Sequence, residues 1–208
     1  MKQTITTIIF DLGNVLIGWD AHLLYRRFFP DHEATSRFLK EIRFMEWNAK
    51  QDAGRPFNEG VQELSKQFPH YAGLIQAYDT YWEESLTEPY HETIEIVRSL
   101  KDSGWPLYLL SNFSAEKFKL IEHKHPVFEW FDDKIISGDH KTVKPSPEIF
   151  RITLQRIGRK AEECLFIDDS SANIETARLL GFETIHFQSP TQLRADLRSR
   201  EIIGVNRQ

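Results

Sequence analysis

Residues of the right type and spacing for chemistry fall at four points of the chain: Asp11, Ser111-Asn112, Lys144 and Asp168-Asp169. Three of these points close an apolar, strand-like run: Ile8-Ile9-Phe10 before Asp11, Leu107-Tyr108-Leu109-Leu110 before Ser111, and Leu165-Phe166-Ile167 before Asp168. In a parallel α/β sheet such strand ends share one edge, facing the crevice where ligands bind. Lys144 stands just before a helix that returns from that edge. A lone Asp before Gly13-Asn14 also reads as a solvated turn, but four such positions together read as a site. Facing carboxylates repel unless a cation lies between them. A few hard oxygen ligands completed by water suit Mg²⁺. A cation beside Asp11 leaves one carboxylate oxygen free as a nucleophile. Lys144, Ser111 and the backbone N–H groups of Leu12, Gly13 and Asn14 are placed to hold a phosphoryl group. The predicted chemistry is phosphoryl transfer through an aspartyl-phosphate, with Mg²⁺ as cofactor and a small phosphorylated metabolite as partner.

The elements that must position these residues follow from periodicity. The first run is apolar on both faces, as in a buried parallel strand. From about Trp19 to Glu88 the pattern changes. This segment carries 13 of the 26 aromatic residues, and its apolar residues recur at helical spacing: Leu23, Leu24, Phe28; Phe38, Ile42, Met45; Val61, Leu64, Phe68; Leu74, Ile75, Tyr78. Breaks at Phe29-Pro30-Asp31, Ala53-Gly54-Arg55-Pro56 and Phe68-Pro69-His70 divide it into about four helices. The aromatic stripe reads as the core of this bundle. From Pro89, placed at the first turn of a helix that stops at Gly104, helices and strands alternate to the end. Strands are expected at 107–110, 134–137, 165–167 and 184–187. Helices are expected at 114–122, from Ser146-Pro147 to Ile157, at 171–180 and at 191–198. The order is β, helical insertion, then αβαβαβαβα. It predicts an α/β fold with a doubly wound parallel sheet, divided into a core of residues 1–18 and 89–208 and a helical unit of residues 19–88.

Composition narrows the classes. The 208 residues suit one α/β domain with an insertion. A net charge of −5 gives no basic face for nucleic acid. No apolar run approaches the ~18 residues of a membrane span, and the first residues lack a signal-peptide layout. The single cysteine, Cys164, cannot form an internal disulfide and lies in an apolar run. It reads as a small buried hydrophobe in a reducing, cytoplasmic setting. No residue pattern sets an oligomeric state.

Taken together, Phe-Asp-Leu-Gly-Asn-Val, Leu-Leu-Ser-Asn, Val-Lys-Pro-Ser-Pro-Glu-Ile-Phe and Phe-Ile-Asp-Asp-Ser-Ser-Ala-Asn-Ile resemble, in order, the four motifs of the haloacid dehalogenase-like (HAD) hydrolase superfamily. The resemblance covers the whole chain. It points to the small α-capped branch (C1 cap, subfamily IA), whose helical cap closes over the site. The resemblance implies that Asp11 is nucleophile and metal ligand, that the Gly13 carbonyl is a second ligand, and that Asp169 is the main metal acid with Asp168 its neighbour. It further implies that Asn173 supports the metal shell and that Ser111 and Lys144 bind phosphate, with Asn112 beside them. The Asp-x-Gly-Asn-Val variant is similar to a subgroup that includes sugar-phosphate phosphatases of the α-glucose-1-phosphate type.

One departure matters. Most phosphatases of this superfamily carry a second Asp two residues after the nucleophile, as general acid/base; here that residue is Gly13. Loss of a proton donor costs ~10²–10⁴ in rate. Three readings stay open: a donor from the cap side or a water, with Asp20 a candidate against its reading as a helix N-cap; a substrate such as a glycosyl phosphate, whose leaving group needs little protonation; or a weak or non-catalytic protein. A metal-independent 2-haloacid dehalogenase also lacks the second Asp, but has no use for the adjacent acids Asp168-Asp169. A ligand- or partner-binding protein on the same fold could lose any of these residues. Trp47, Asn48 and Arg55 are further candidates for reaching a sugar. Lys141 is a rival to Lys144, and Arg198–Gln208 reads as a frayed end.

Overall fold

Ile8, Ile9 and Phe10 are fully buried, as their unbroken apolar run requires, because they form the middle strand of a five-stranded sheet. The computed structural model describes residues 4–204. The chain runs β1 (Thr7–Phe10), β2 (Ile17–Trp19), then helices α1 (Ala21–Tyr25), α2 (His32–Glu41), α3 (Phe44–Asp52), α4 (Phe57–Gln67) and α5 (Ala72–Thr80), then β3 (Leu86–Pro89). Alternation follows: α6 (His91–Asp102), β4 (Leu107–Ser111), α7 (Ala115–Ile121), β5 (Asp133–Ile136), α8 (Ser137–His140), α9 (Pro147–Ile157), β6 (Cys164–Asp168), α10 (Ser171–Leu179), β7 (Glu183–His186) and α11 (Pro190–Ser199).

The sheet order is β5-β4-β1-β6-β7, and every pairing in it is parallel. The chain leaves β1 toward β4 and β5 on one side and reaches β6 and β7 on the other. The order therefore reverses at β1, and that reversal opens the crevice beyond its C-terminal end. The register Phe10↔Leu109 and Phe10↔Ile167 brings the ends of β1, β4 and β6 level. Helix ends follow local chemistry. Ser114 and Ser146 cap α7 and α9 through their hydroxyls, and Gly158 and Gly181 take the positive φ that ends α9 and α10.

The helical segment has its own aromatic core. Tyr25, Phe38, Phe44, Trp47, Phe57 and Tyr78 are all buried, with Phe44 and Tyr78 edge-to-face at 4.8 Å and Tyr25 and Phe38 at 5.0 Å. Such pairs add about 0.5–1.5 kcal/mol each beyond area burial. Trp47 donates its indole N–H to Gly60 O at 2.8 Å, and Arg55 bonds Gln51 at 2.6 Å and pairs with Glu63. Both side chains are engaged within the helical segment.

Several expectations are corrected. The segment has five α-helices, because Arg43 adopts a left-handed conformation (φ 51°) that splits the second expected helix into α2 and α3. Pro89 closes β3 and does not open a helix; α6 starts at His91, after Tyr90. The antiparallel ribbon β2–β3 was not anticipated, since two strands of three and four residues leave no measurable alternation. It carries both chain crossings to the helical segment. At Gly18 a Cβ would lie 2.5 Å from the Tyr90 hydroxyl and 2.7 Å from Thr87 Oγ1, so either side chain would have to move to admit one. The end of the chain is tied down as far as it is described. Ile202 is buried and its carbonyl accepts the Trp105 indole N–H at 3.2 Å, while residues 205–208 of the expected frayed end lie outside the described residues. Among the described residues no helix is long and apolar enough to cross a membrane.

Candidate active site

Asp11 follows β1 directly and is held by its neighbours. Its N–H donates to Ile167 O on β6 at 2.8 Å, and its Oδ1 accepts the Leu12 N–H at 2.7 Å. Lys144 Nζ pairs with the same Oδ1 at 2.8 Å. No described donor bonds Oδ2, so one oxygen is fixed and the other is open. Burial pushes the carboxyl up to about 7; the Lys144 ammonium pulls it down and the Asp168 carboxylate pushes it up again. Burial works against the charge of Lys144, but Asp11 and Asp168 outweigh it and hold its pKa above the usual lysine value.

Lys144 is buried and surrounded by oxygens: Leu110 O at 2.9 Å, Asp168 Oδ2 at 2.7 Å and Asp11 Oδ1. Its backbone is fixed by Asn112. The Asn112 amide donates to Lys144 O at 2.8 Å, and its Oδ1 accepts the Lys144 N–H at 2.7 Å. Asn112 was expected beside the phosphate, but its amide is committed at both ends to placing the lysine. Asn112→Ala is expected to lower turnover about tenfold and stability by about 1–3 kcal/mol, read by steady-state kinetics and thermal melting.

Asp168 is fully buried. Its carboxylate accepts from Lys144, from Asn173 Nδ2 at 3.0 and 3.1 Å, and from the Ser170 N–H at 2.8 Å. Asp169 is less enclosed. Burial, then Asp168, raises its pKa, while Asn14 and Lys144 act in the opposite sense. His186 donates to the Asp169 carbonyl at 2.8 Å and so fixes this turn from β7. Ser111 is buried, and its hydroxyl bonds no described residue.

The loop after β1 departs from expectation. Of the three N–H groups expected to cradle a phosphoryl group, Leu12 gives its own to Asp11 and Asn14 gives its own to Ile17 O at 2.9 Å. The Gly13 N–H and C=O bond no described backbone group. Asn14 takes the left-handed conformation (φ 56°) that asparagine tolerates better than most residues. Asp20 accepts the His22 N–H at 2.9 Å as the N-cap of α1, which is its ordinary structural role.

A metal fits this donor set. Asp11, Asp168 and Asp169 each bring one carboxylate oxygen within 4.8 Å of the others. Because Asp168 is saturated by Lys144, Asn173 and Ser170, Asp169 is the carboxylate with room for a metal, with the Asp11 carboxylate within reach of it. All are hard donors of the kind Mg²⁺ prefers.

A cavity of about 170 Å³ opens in front of the loop. Gly13, Asn14, Asn112 and Ser114 line it from the sheet side, and Asn48 and Asp52 from α3. Trp19, Phe57, Trp82 and Phe113 wall it, and Lys117 of α7 borders it with its ammonium on Asp79. Asn48 was singled out in the sequence; Asp52 and Lys117 were not. Nothing local distinguishes Asp52 from the other 30 acidic residues except its place just before the Ala53-Gly54 turn.

A parallel sheet whose order reverses beside a buried carboxylate places a ligand crevice at Asp11. The chain belongs to the haloacid dehalogenase-like hydrolase family, whose model matches residues 5–181. It is 24% identical over 206 residues to a sesquiterpene phosphatase from Aspergillus oryzae, covering 98% of this chain and 100% of that one. It is 25% identical over 197 residues to a drimenol cyclase from Aspergillus calidoustus, covering 93% of this chain but only 36% of that protein. A HAD-family enzyme from Bacteroides thetaiotaomicron, solved with magnesium and inorganic phosphate, superposes with a TM-score of 0.69 at 25% identity over 88% of this chain and 94% of that one.

Proposed function

We propose that this chain is a Mg²⁺-dependent phosphatase of small phosphorylated metabolites, acting through an aspartyl-phosphate on Asp11. The observation that carries the reading is the division of labour at Asp11: Oδ1 anchored by the Leu12 N–H and Lys144, Oδ2 unbonded. An anchored carboxylate with one open oxygen is an oriented nucleophile. Asp11, Asp169 and the Gly13 carbonyl would hold the metal, with Asp168 behind them; bound there, it supplies charge that offsets the negative charge of the phosphoryl group. Asp11 attacks phosphorus and the bond to the leaving oxygen breaks; water then attacks the aspartyl-phosphate and releases phosphate. The buried Lys144 charge stabilises the added negative charge in both steps. Ser111 and the Gly13 N–H are free to donate to phosphoryl oxygens. The names of the Aspergillus oryzae phosphatase and of the magnesium- and phosphate-bound neighbour accord with this reading.

The helices of residues 19–88 act as the cap over a core of residues 1–18 and 89–208. The cavity they share bounds the leaving group to a small one, and sugar phosphates such as glucose 1-phosphate suit its mixture of aromatic walls and amides. No basic surface for nucleic acid and no membrane attachment enters the reading, and the single buried Cys164 accords with a reducing, cytoplasmic setting. Phosphate release should be measured from 4-nitrophenyl phosphate, a sugar phosphate panel and a sesquiterpenyl phosphate, with Mg²⁺ and in excess chelator. Release with Mg²⁺ that stops in chelator is expected. Silence toward every phosphate, with chloride released from 2-chloropropionate in chelator, would overturn the proposal in favour of a dehalogenase.

A further inference from the structure

The reaction above needs a proton at the leaving oxygen and a base for the water, and the carboxyls of the sheet side are occupied. Asp11 is the nucleophile. Asp168 is saturated by Lys144, Asn173 and Ser170, and Asp169 faces the metal position. Gly13 offers no side chain, and a Cβ there would meet no atom within 4 Å, so open space lies directly in front of the loop. Across that space, in the same cavity, stands Asp52 at the C-terminal end of α3.

Asp52 is held against the sheet side from several directions. Ser137 on α8 donates its hydroxyl to Asp52 O at 2.6 Å, and the same Ser137 oxygen accepts the Phe113 N–H at 2.9 Å. Gly54, two residues on, packs so closely on α8 that a Cβ would lie 2.6 Å from Gly138 O, and its φ of 92° excludes most other residues. The carboxyl accepts the Asn48 amide at 3.1 Å. The end of α3 is thus clamped onto the strand ends that carry the site, and a shift of the helices would move Asp52 relative to Asp11.

We infer that Asp52 is the general acid/base of this site, supplied across the cavity by the helical segment; the assignment rests on the proposed phosphatase reading. As Asp11 attacks, the bond from phosphorus to the leaving oxygen breaks and the Asp52 carboxyl gives that oxygen its proton. The Asp52 carboxylate then takes a proton from water as the water oxygen attacks phosphorus and the Asp11–phosphorus bond breaks. Asp52 ends protonated, ready for the next cycle. Burial raises its pKa to about 7, with the Ser114 backbone N–H acting in the opposite sense, so both forms are accessible near neutral pH. The charged and titratable groups around it are Lys117 of α7, paired with Asp79; Tyr78 of α5, which feels its charge; Lys141 after α8, whose side chain packs by Gly54; and Glu116 of α7, which accepts the Phe57 N–H at 3.1 Å. Lys117 is the rival donor, but an ammonium engaged by Asp79 is poorly matched to take the proton back from water.

The test compares first-turnover and steady-state rates of wild type and Asp52→Asn in Mg²⁺, on 4-nitrophenyl phosphate and on an alkyl phosphate. Nitrophenolate leaves without a proton, whereas an alkoxide does not. In Asp52→Asn, 4-nitrophenyl phosphate should release about one equivalent of nitrophenol at close to the wild-type rate and then slow by about 10²-fold or more, because only the second step needs the base. The alkyl phosphate should slow by about 10²-fold or more in its first turnover. Both rates belong to one protein sample, so partial unfolding would lower them equally and could not imitate the split. First-turnover rates that fall by the same factor on both substrates, or on neither, would overturn the assignment while leaving the phosphatase reading intact. A wild type silent toward both phosphates would overturn that reading and the assignment with it.

Discussion

Asp11→Asn is expected to lower phosphate release by about 10⁴-fold or more while the melting temperature stays within about 3 °C of wild type. The two effects separate because the side chain has two jobs. An asparagine oxygen can still accept the Leu12 N–H that Oδ1 accepts at 2.7 Å, so the turn after β1 keeps its shape. The amide nitrogen in the other position cannot attack phosphorus. The stability cost is small because two changes oppose each other. Burial pushes the Asp11 carboxyl up to about 7, so its ionised form is held at a cost that the neutral amide avoids. Against this, Lys144 loses one of two carboxylate partners and keeps Asp168 at 2.7 Å. A phosphate assay and a thermal melt on the same preparation decide the matter. Retention of activity to within tenfold would remove Asp11 from the chemistry, and collapse of the melt would mean that the carboxylate is chiefly structural.

The parts of this site that were legible in the sequence are those placed by strand periodicity. Asp11, Ser111 and Asp168 each end an apolar run, and parallel pairing brings the ends of three separate runs level without further information. Lys144 was legible through the Ser146-Pro147 helix start that follows it. The opposite wall was not legible. Which side chains of α3 face the sheet depends on how Gly54 seats on Gly138 and on the left-handed turn at Arg43, and neither contact leaves a periodic trace. Asn112 shows a different limit. Its position at the end of β4 was expected, but whether its amide faced a ligand or the Lys144 backbone depended on a loop 32 residues away. The β2–β3 ribbon stayed hidden because its strands are too short to alternate. The close approach at Gly18 is to the Tyr90 hydroxyl, a contact between residues 72 positions apart.

Lys144→Met should produce the largest loss of stability of any single change in this site, about 3–5 kcal/mol, or roughly 10 °C in melting temperature for a chain of this size. Methionine fills much of the volume, so the cost is electrostatic. Removing the ammonium leaves Asp11 and Asp168 buried without their shared counter-charge and leaves Leu110 O without its 2.9 Å donor. The defect carries a pH signature, best read by thermal melting in chelator so that no divalent cation replaces the lost charge. The Asp11 carboxyl is already raised to about 7 with the lysine present, and without the ammonium its folded-state pKa lies further above the unfolded value. A group whose folded pKa is raised binds more protons folded than unfolded, so stability falls as pH rises through the interval between the two values. The gap between Lys144→Met and wild type should therefore be widest near pH 8 and narrow toward pH 5. Adding Asp168→Asn to Lys144→Met removes one of the stranded charges and should return part of the loss, a coupling of about 1–3 kcal/mol between groups 2.7 Å apart. Equal destabilisation of single and double variants at all pH values would show that the lysine acts by packing alone. In that case its charge would not be what holds the two carboxylates together at the end of the central strands.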